Sequence, residues 1–225
     1  MAGVLALVVV LAGAAVWLLR EPAAPGSIAG AGLTIALGED GGIALASGAA
    51  DAPVVELWVD YACPHCRMFH QESGEGLAQM AADGDAQVVV RPVSVFAGAG
   101  EPDAGNSLRA GSAALCAAEY GSAAAWTAYN DRLFTEQPMQ GDPGFEADRL
   151  VAWGQEAGID DPAFAGCVSE GRYTDELAVY TQEAITRWGS FGTPTVAVEG
   201  EQVSGSGGAL PTLEQIREAA GGTPV

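Results

Sequence analysis

The chain has 225 residues, 49% of them hydrophobic, and a formal net charge of −20. This composition excludes a disordered chain and allows a sizeable core, while the negative charge argues against nucleic acid or an anionic lipid surface as the main partner. All nine basic side chains are arginines, which excludes sites that need a lysine ammonium group. Both histidines, His65 and His70, lie beside a cysteine pair, so a hydrolase with its histidine base elsewhere in the fold is excluded as well.

The N-terminal segment is apolar from residue 2 to residue 19, close to the shortest length that spans a membrane, about 17 residues. A cleaved signal peptide is the alternative, but no positive charge precedes the run and no clear small-residue cleavage site follows it. Arg20 after the run favours a cytoplasmic domain, whereas the cysteines discussed below favour the opposite side. We therefore predict a membrane anchor or signal segment over 1–20, with the anchor preferred, and a proline-bearing linker over 21–32.

The first half of the remaining chain has the pattern of an α/β fold. A short hairpin is predicted from residues 33–37 and 43–45, and a buried strand from residues 54–59. A helix then begins near Pro64, and a second buried strand follows at residues 87–93. The order of strand, helix and strand predicts a parallel crossover.

The second half is mostly helical. Alanine-rich segments with helical spacing, separated by glycine and proline, cover 104–119, 121–135, 145–157, 160–169 and 172–188. Strand character returns at 194–198 and 202–203, and a capping-box pattern at Thr212 begins a last helix. The predicted divisions are 33–102 and 190–222 for the two parts of an α/β domain and 103–189 for a helical insertion.

The sequence Cys63-Pro64-His65-Cys66 carries the chemistry. Cys63 is predicted at a helix N-terminus, where free amides and the helix dipole stabilise a thiolate, and Cys66 one turn further in. A pair of this kind forms a reversible disulfide, in which the outer sulfur is the nucleophile and the inner one the resolving thiol. A zinc site with His65 and His70 is the alternative, but His65 should point away from the helix face that carries Cys66, and His70 is expected on the helix surface. We therefore expect no metal.

Two motifs, residues 60–69 (DYACPHCRMF) and residues 191–195 (FGTPT), resemble the DsbA-like family of extracytoplasmic thiol-disulfide oxidoreductases. The resemblance covers about residues 33–222 and implies a thioredoxin-like fold, β-β-β-α-β followed by β-β-α, with an inserted helical domain of the actinobacterial type. It implies a cis peptide bond before Pro194, which would aim the Thr193 backbone at the cysteine pair and at a bound peptide. It also implies that His65 stabilises the Cys63 thiolate, which makes the disulfide more oxidising.

The chain departs from many thioredoxin-fold proteins at one position. Such proteins place a buried acid six residues before the first cysteine, and here that residue is Leu57, with Glu56 beside it on the opposite strand face. The group that handles the proton during exchange is therefore not identified by the resemblance.

The other two cysteines, Cys116 and Cys167, fall in the helical insertion. With Cys63 and Cys66 assigned to the redox pair, they are the natural partners of a second disulfide, and comparable insertion disulfides of actinobacterial relatives support this pairing. Two buried free thiols are the alternative. A structural disulfide would place the domain outside the cytoplasm.

The resemblance implies an oxidase that donates the Cys63–Cys66 disulfide to cysteine-containing exported polypeptides and needs no soluble cofactor. It also implies a membrane partner linked to quinone that reoxidises the pair. The expected location is the cell membrane, single-pass through residues 2–19, with the catalytic domain outside, or secreted if the segment is cleaved. A reductase or isomerase of the same compartment and a non-catalytic peptide-binding chaperone are the alternatives.

Overall fold

The computed structural model describes residues 32–49, 51–189 and 191–222. The predicted anchor and nearly all of the linker lie outside these residues. Within them, no helix is both long enough and apolar enough to cross a membrane.

A mixed sheet of six strands forms the centre of the α/β part, in the spatial order β1-β2-β4-β3-β5-β6. The strands are β1 Thr34–Leu37, β2 Ile43–Ala46, β3 Val54–Val59, β4 Gln87–Pro92, β5 Thr195–Val198 and β6 Glu201–Gln202. The β1–β2 hairpin and the parallel β3–β4 pair confirm the sequence predictions. On its other side β3 pairs antiparallel with β5, with Trp58 opposite Thr195. The end of β3 and the start of β5 therefore lie at the same end of the sheet.

Helix α1, Pro64–Asp83, crosses from β3 to β4. Cys63 is its N-cap in an extended conformation, Pro64 occupies the first turn, and Gly84 ends it with a left-handed φ of 80°. One face is buried at the predicted helical spacing, namely Cys66, Phe69, Ser73, Leu77 and Met80. The redox motif is thus fixed to the core through its own helix.

Five helices lie between β4 and β5, which matches the helical block predicted from the sequence. They are α2 Asp103–Tyr120, α3 Ala123–Thr135, α4 Ala147–Glu156, α5 Pro162–Glu170 and α6 Thr174–Trp188. The alanines of α2 allow close packing, and Cys116 of α2 is joined to Cys167 of α5 by a disulfide whose Cα atoms are 5.9 Å apart. The last helix, α7 Leu213–Ala219, begins with the predicted capping box of Thr212 and Gln215. A large hydrophobic cluster extends through sheet and block, and a smaller one is formed by Trp58, Val93, Ala184 and Ala197.

We expect the Cys116→Ala, Cys167→Ala double variant to lose about 4 kcal/mol of unfolding free energy, because the bridge restricts a 51-residue separation in the unfolded chain. Urea denaturation of the oxidised proteins, followed by circular dichroism, measures the difference. The matched control is the Cys63→Ser, Cys66→Ser double variant, because the bridge that it removes closes only a short loop. Equal urea midpoints for wild type and the Cys116→Ala, Cys167→Ala variant would contradict the prediction.

Candidate active site

A tight turn joins the end of β3 to the start of α1 and carries the nucleophile. The Cys63 amide donates to the Asp60 carbonyl at 3.0 Å, and the Cys63 carbonyl accepts the first helical hydrogen bonds, from the amides of Cys66 and Arg67. Cys63 is 4% exposed and Cys66 is 1% exposed. Both sulfurs therefore lie at the N-terminus of α1, with the Cys63 sulfur nearer to the surface.

The two thiols have opposite acidities. A hydrogen bond from the Cys66 thiol, together with the Thr193 side chain and the amides of Cys66 and His65, lowers the pKa of Cys63 from 9.0 to about 5 despite its burial. Burial, together with the negative charge of Cys63, raises the pKa of Cys66 well above its ordinary value. At neutral pH a reduced pair therefore holds a thiolate at Cys63 and a thiol at Cys66, the arrangement of a nucleophile and a protonated partner.

The loop before β5 brings Thr193 to the cysteine pair from 130 residues away along the chain. The Thr193–Pro194 peptide bond is cis, and the Cys63 thiol donates to the Thr193 carbonyl at 3.3 Å. The Thr193 hydroxyl is buried and has no hydrogen-bond partner among the described residues. It is thus available to donate to a thiolate at Cys63, in agreement with its lowering effect on that pKa.

The structure places His65 differently from the cysteines. Its side chain is exposed and makes no hydrogen bond in the described part of the chain, whereas its backbone amide helps to lower the pKa of Cys63. The amide is supplied by the helix start that Pro64 favours. A role for the imidazole in stabilising the thiolate stays a prediction.

His70 corrects one expectation. It is not a solvent-facing residue of the helix surface: its side chain is only 18% exposed, its ring stacks on Phe134 with centroids 4.6 Å apart, and Nε2 lies 3.1 Å from an Asp131 carboxylate oxygen. The cause is the packing of α3 beside α1, which the sequence does not reveal. Among the residues that the structure describes, no three histidine, cysteine, aspartate or glutamate side chains are grouped as metal ligands would be.

A buried acid near the cysteines is the residue that the sequence pattern missed. Asp60 is fully buried; one carboxylate oxygen accepts from the Ala62 amide at 2.8 Å, and the other from the Ser107 hydroxyl at 2.7 Å and the Phe96 amide at 3.2 Å. Burial raises its pKa to about 6 against these hydrogen bonds, and the charge of Cys63 raises it further. The sequence did contain a signal for Asp60, because an aspartate at the end of a strand can accept a hydrogen bond from the backbone amide two residues later.

Glu56, the acid next to Leu57 on β3, has a different environment from Asp60. Glu56 is buried on the other face of the sheet, where its carboxylate meets Arg91 at 2.8 Å and Arg187 at 3.0 Å. Both guanidinium groups also lie over the Trp58 ring. Because a buried carboxylate needs charged partners, this cluster fixes the end of α6 to the sheet, and it leaves Asp60 as the acid on the side of the sulfurs.

A family model described as thioredoxin matches residues 42–219, most of the chain. The chain belongs to the thioredoxin family. This match confirms the thioredoxin-like relationship that the two motifs implied, and the α/β fold with its helical block agrees with it.

Several solved structures share the fold of this thioredoxin-family chain. The MdbA thiol-disulfide oxidoreductase of Corynebacterium diphtheriae has a TM-score of 0.69 at 22% identity and is matched over 84% of this chain and 93% of its own. The oxidised Mtb DsbA structure has a TM-score of 0.64 at 22% identity, over 81% and 100%. The reduced DsbG oxidoreductase of Mycobacterium tuberculosis has a TM-score of 0.60 at 23% identity, over 76% and 86%. A comparison with curated proteins found no match.

The lowered pKa of Cys63 predicts how the stability of the reduced protein depends on pH. Between pH 5 and pH 9 the unfolded chain keeps a proton that folded Cys63 has released, so the contribution of Cys63 to the free energy of unfolding rises with pH; this gain is lost as the pH falls through 5. Urea denaturation under reducing conditions at a series of pH values measures the slope. The Cys63→Ser variant should lack this component, and parallel curves for the two proteins would contradict the assignment.

The Thr193→Val variant tests the buried hydroxyl. Valine keeps the shape and removes the hydroxyl that can donate to the thiolate, so the pKa of Cys63 should rise by about one pH unit. The rate of alkylation of the reduced protein, followed against pH, gives this pKa. Thr186→Val is the matched control, since the Thr186 hydroxyl is exposed on α6 and donates to the Gln182 carbonyl. An unchanged alkylation midpoint in Thr193→Val would show that the hydroxyl does not stabilise the Cys63 thiolate.

Proposed function

We propose that this protein is a thiol-disulfide oxidoreductase that works as an oxidase of exported polypeptides. The observation that supports it best is the pKa of Cys63, lowered to about 5 by hydrogen bonds that converge on one sulfur. A stabilised thiolate favours the dithiol form of the pair, and a pair that favours its dithiol form is a stronger oxidant.

In this reaction a substrate thiolate attacks the Cys63 sulfur of the oxidised pair. The Cys63–Cys66 bond breaks, Cys66 leaves as a thiolate and takes up a proton, and substrate and Cys63 form a mixed disulfide. A second substrate thiolate then attacks the substrate sulfur of that disulfide and displaces the Cys63 thiolate. Two substrate thiols are thereby oxidised to a disulfide, and the enzyme is left as a dithiol. In the reverse direction Cys66 resolves the mixed disulfide.

In this proposal an extended substrate backbone binds beside the cysteine pair. Pro194 follows Thr193 in the loop before β5, next to Cys63, and an extended peptide can pair with main-chain groups of such a loop. No soluble cofactor takes part in these steps. Each turnover leaves a dithiol, and the electron acceptor that we propose for its reoxidation is a membrane protein linked to quinone.

The proposed compartment lies outside the cytoplasm, with residues 2–19 as membrane anchor. The support is the disulfide of Cys116 and Cys167, which is buried and far from the redox pair in sequence. Structural disulfides persist mainly in oxidising compartments. Cysteine-containing polypeptides that emerge from export are the substrates that such a location supplies.

Equilibration of the protein with glutathione redox buffers tests the direction of the reaction. We expect a potential nearer to roughly −120 mV than to roughly −270 mV, the values of a strongly oxidising and a reducing member of the fold. Mass spectrometry after acid quenching and alkylation gives the ratio of dithiol to disulfide. A potential of roughly −250 mV or lower would overturn the oxidase assignment in favour of a reductase.

The same preparations serve to test turnover on a reduced, cysteine-containing model polypeptide in a glutathione buffer. Cys63→Ser should abolish catalysed disulfide formation, while Cys116→Ala, Cys167→Ala retains it at a temperature where that variant is folded. Full function of Cys63→Ser in promoting refolding would instead support a peptide-binding chaperone.

A further inference from the structure

A buried amide from the helical block contacts the backbone on both sides of Ala62. Gln137 lies just after α3, in the loop that leads to α4, and is 6% exposed. Its Nε2 atom donates to the Tyr61 carbonyl at 2.6 Å and to the Cys63 carbonyl at 3.1 Å. One side chain therefore holds the two carbonyls that flank the residue before the nucleophile.

The start of α1 in turn donates a hydrogen bond to Gln137. Arg67, in the first turns of α1, donates to the main-chain carbonyl of Gln137 at 3.4 Å. The α3–α4 loop and the start of α1 thus hold each other, although they are about 70 residues apart in sequence. The loop does not belong to the sheet part of the fold, so its position is set by the helical block.

The Tyr61 carbonyl depends on this contact. Within the described ranges it accepts no other hydrogen bond, whereas the Cys63 carbonyl also accepts from the amides of Cys66 and Arg67. In the same segment the Asp60 carboxylate accepts from the Ala62 amide. Gln137 and Asp60 therefore restrain three successive residues together, and a buried carbonyl without its donor is energetically unfavourable.

We propose that Gln137 is a positioning residue for thiol exchange: from the helical block it fixes the Tyr61–Cys63 backbone so that the Cys63 sulfur stays between the amides of α1 and Thr193. The hydrogen bonds that stabilise the thiolate come from groups whose direction depends on this backbone, namely the amides of His65 and Cys66. The proposal rests on the exchange reaction proposed above and not on its direction.

The test compares Gln137→Met with wild type. Methionine has similar length and no hydrogen-bond donor, so the backbone segment loses its restraint while the volume is nearly kept. We expect the midpoint of Cys63 alkylation to move to higher pH and the equilibrium with glutathione to shift about five-fold toward the disulfide form of the enzyme. Gln140→Met is the matched control, because Gln140 is exposed in the same loop, and it should change neither quantity.

A purely structural role predicts a different result. The urea midpoint would fall while the alkylation midpoint and the glutathione equilibrium stayed at their wild-type values, and this outcome overturns the proposal. Gln137→Asn, whose amide is one methylene shorter and cannot reach both carbonyls, is the second variant if Gln137→Met does not fold. Failure of both variants to fold would assign Gln137 to overall stability and overturn the proposal as well. A reducing wild-type potential would sink the oxidase assignment but leave this comparison of variants valid.

Discussion

The site depends on one contact, the approach of Thr193 to the Cys63 sulfur across 130 residues of chain. It exists because β5 pairs antiparallel with β3, so β5 starts at the end of the sheet where β3 stops. Helix α1 begins at that same end of the sheet. Amides of α1 and the Thr193 residue of the loop before β5 therefore lie together at one sulfur. Neither element alone would supply this environment.

The same arrangement also gives different acidities to two identical side chains three positions apart. Cys63 lies at the helix N-terminus, where donors outweigh burial, and Cys66 lies one turn further in, where burial dominates. The contrast gives the pair its order of reaction, since only one sulfur is a thiolate at neutral pH. It is a property of position in the helix and not of residue type.

Buried polar side chains lie near this pair, and two of them are held by several hydrogen bonds. Asp60 accepts three hydrogen bonds, two from backbone amides and one from Ser107 of α2, while Gln137 donates to two backbone carbonyls. Burial of such groups is unfavourable unless they are hydrogen-bonded, so these contacts restrict the turn to one arrangement. Ser107 and Gln137 both belong to the helical block. The block is therefore part of the active site's support, in addition to carrying its own disulfide.

The amino-acid sequence determined the elements and the chemistry. Strand composition, helix periodicity and the capping box of Thr212 are local signals, and they gave the order of elements and the buried face of α1. The cysteine spacing identified the reactive pair, since spacing in a helix is also local. Only the tertiary structure decided the proton environment: Leu57 occupies the position where an acid was sought, and Asp60 is the acid that the fold buries beside the sulfurs. It also decided that Gln137 reaches Cys63, that His70 packs on Phe134, and that the His65 side chain is exposed. These facts depend on contacts between residues distant in sequence, which no local pattern encodes.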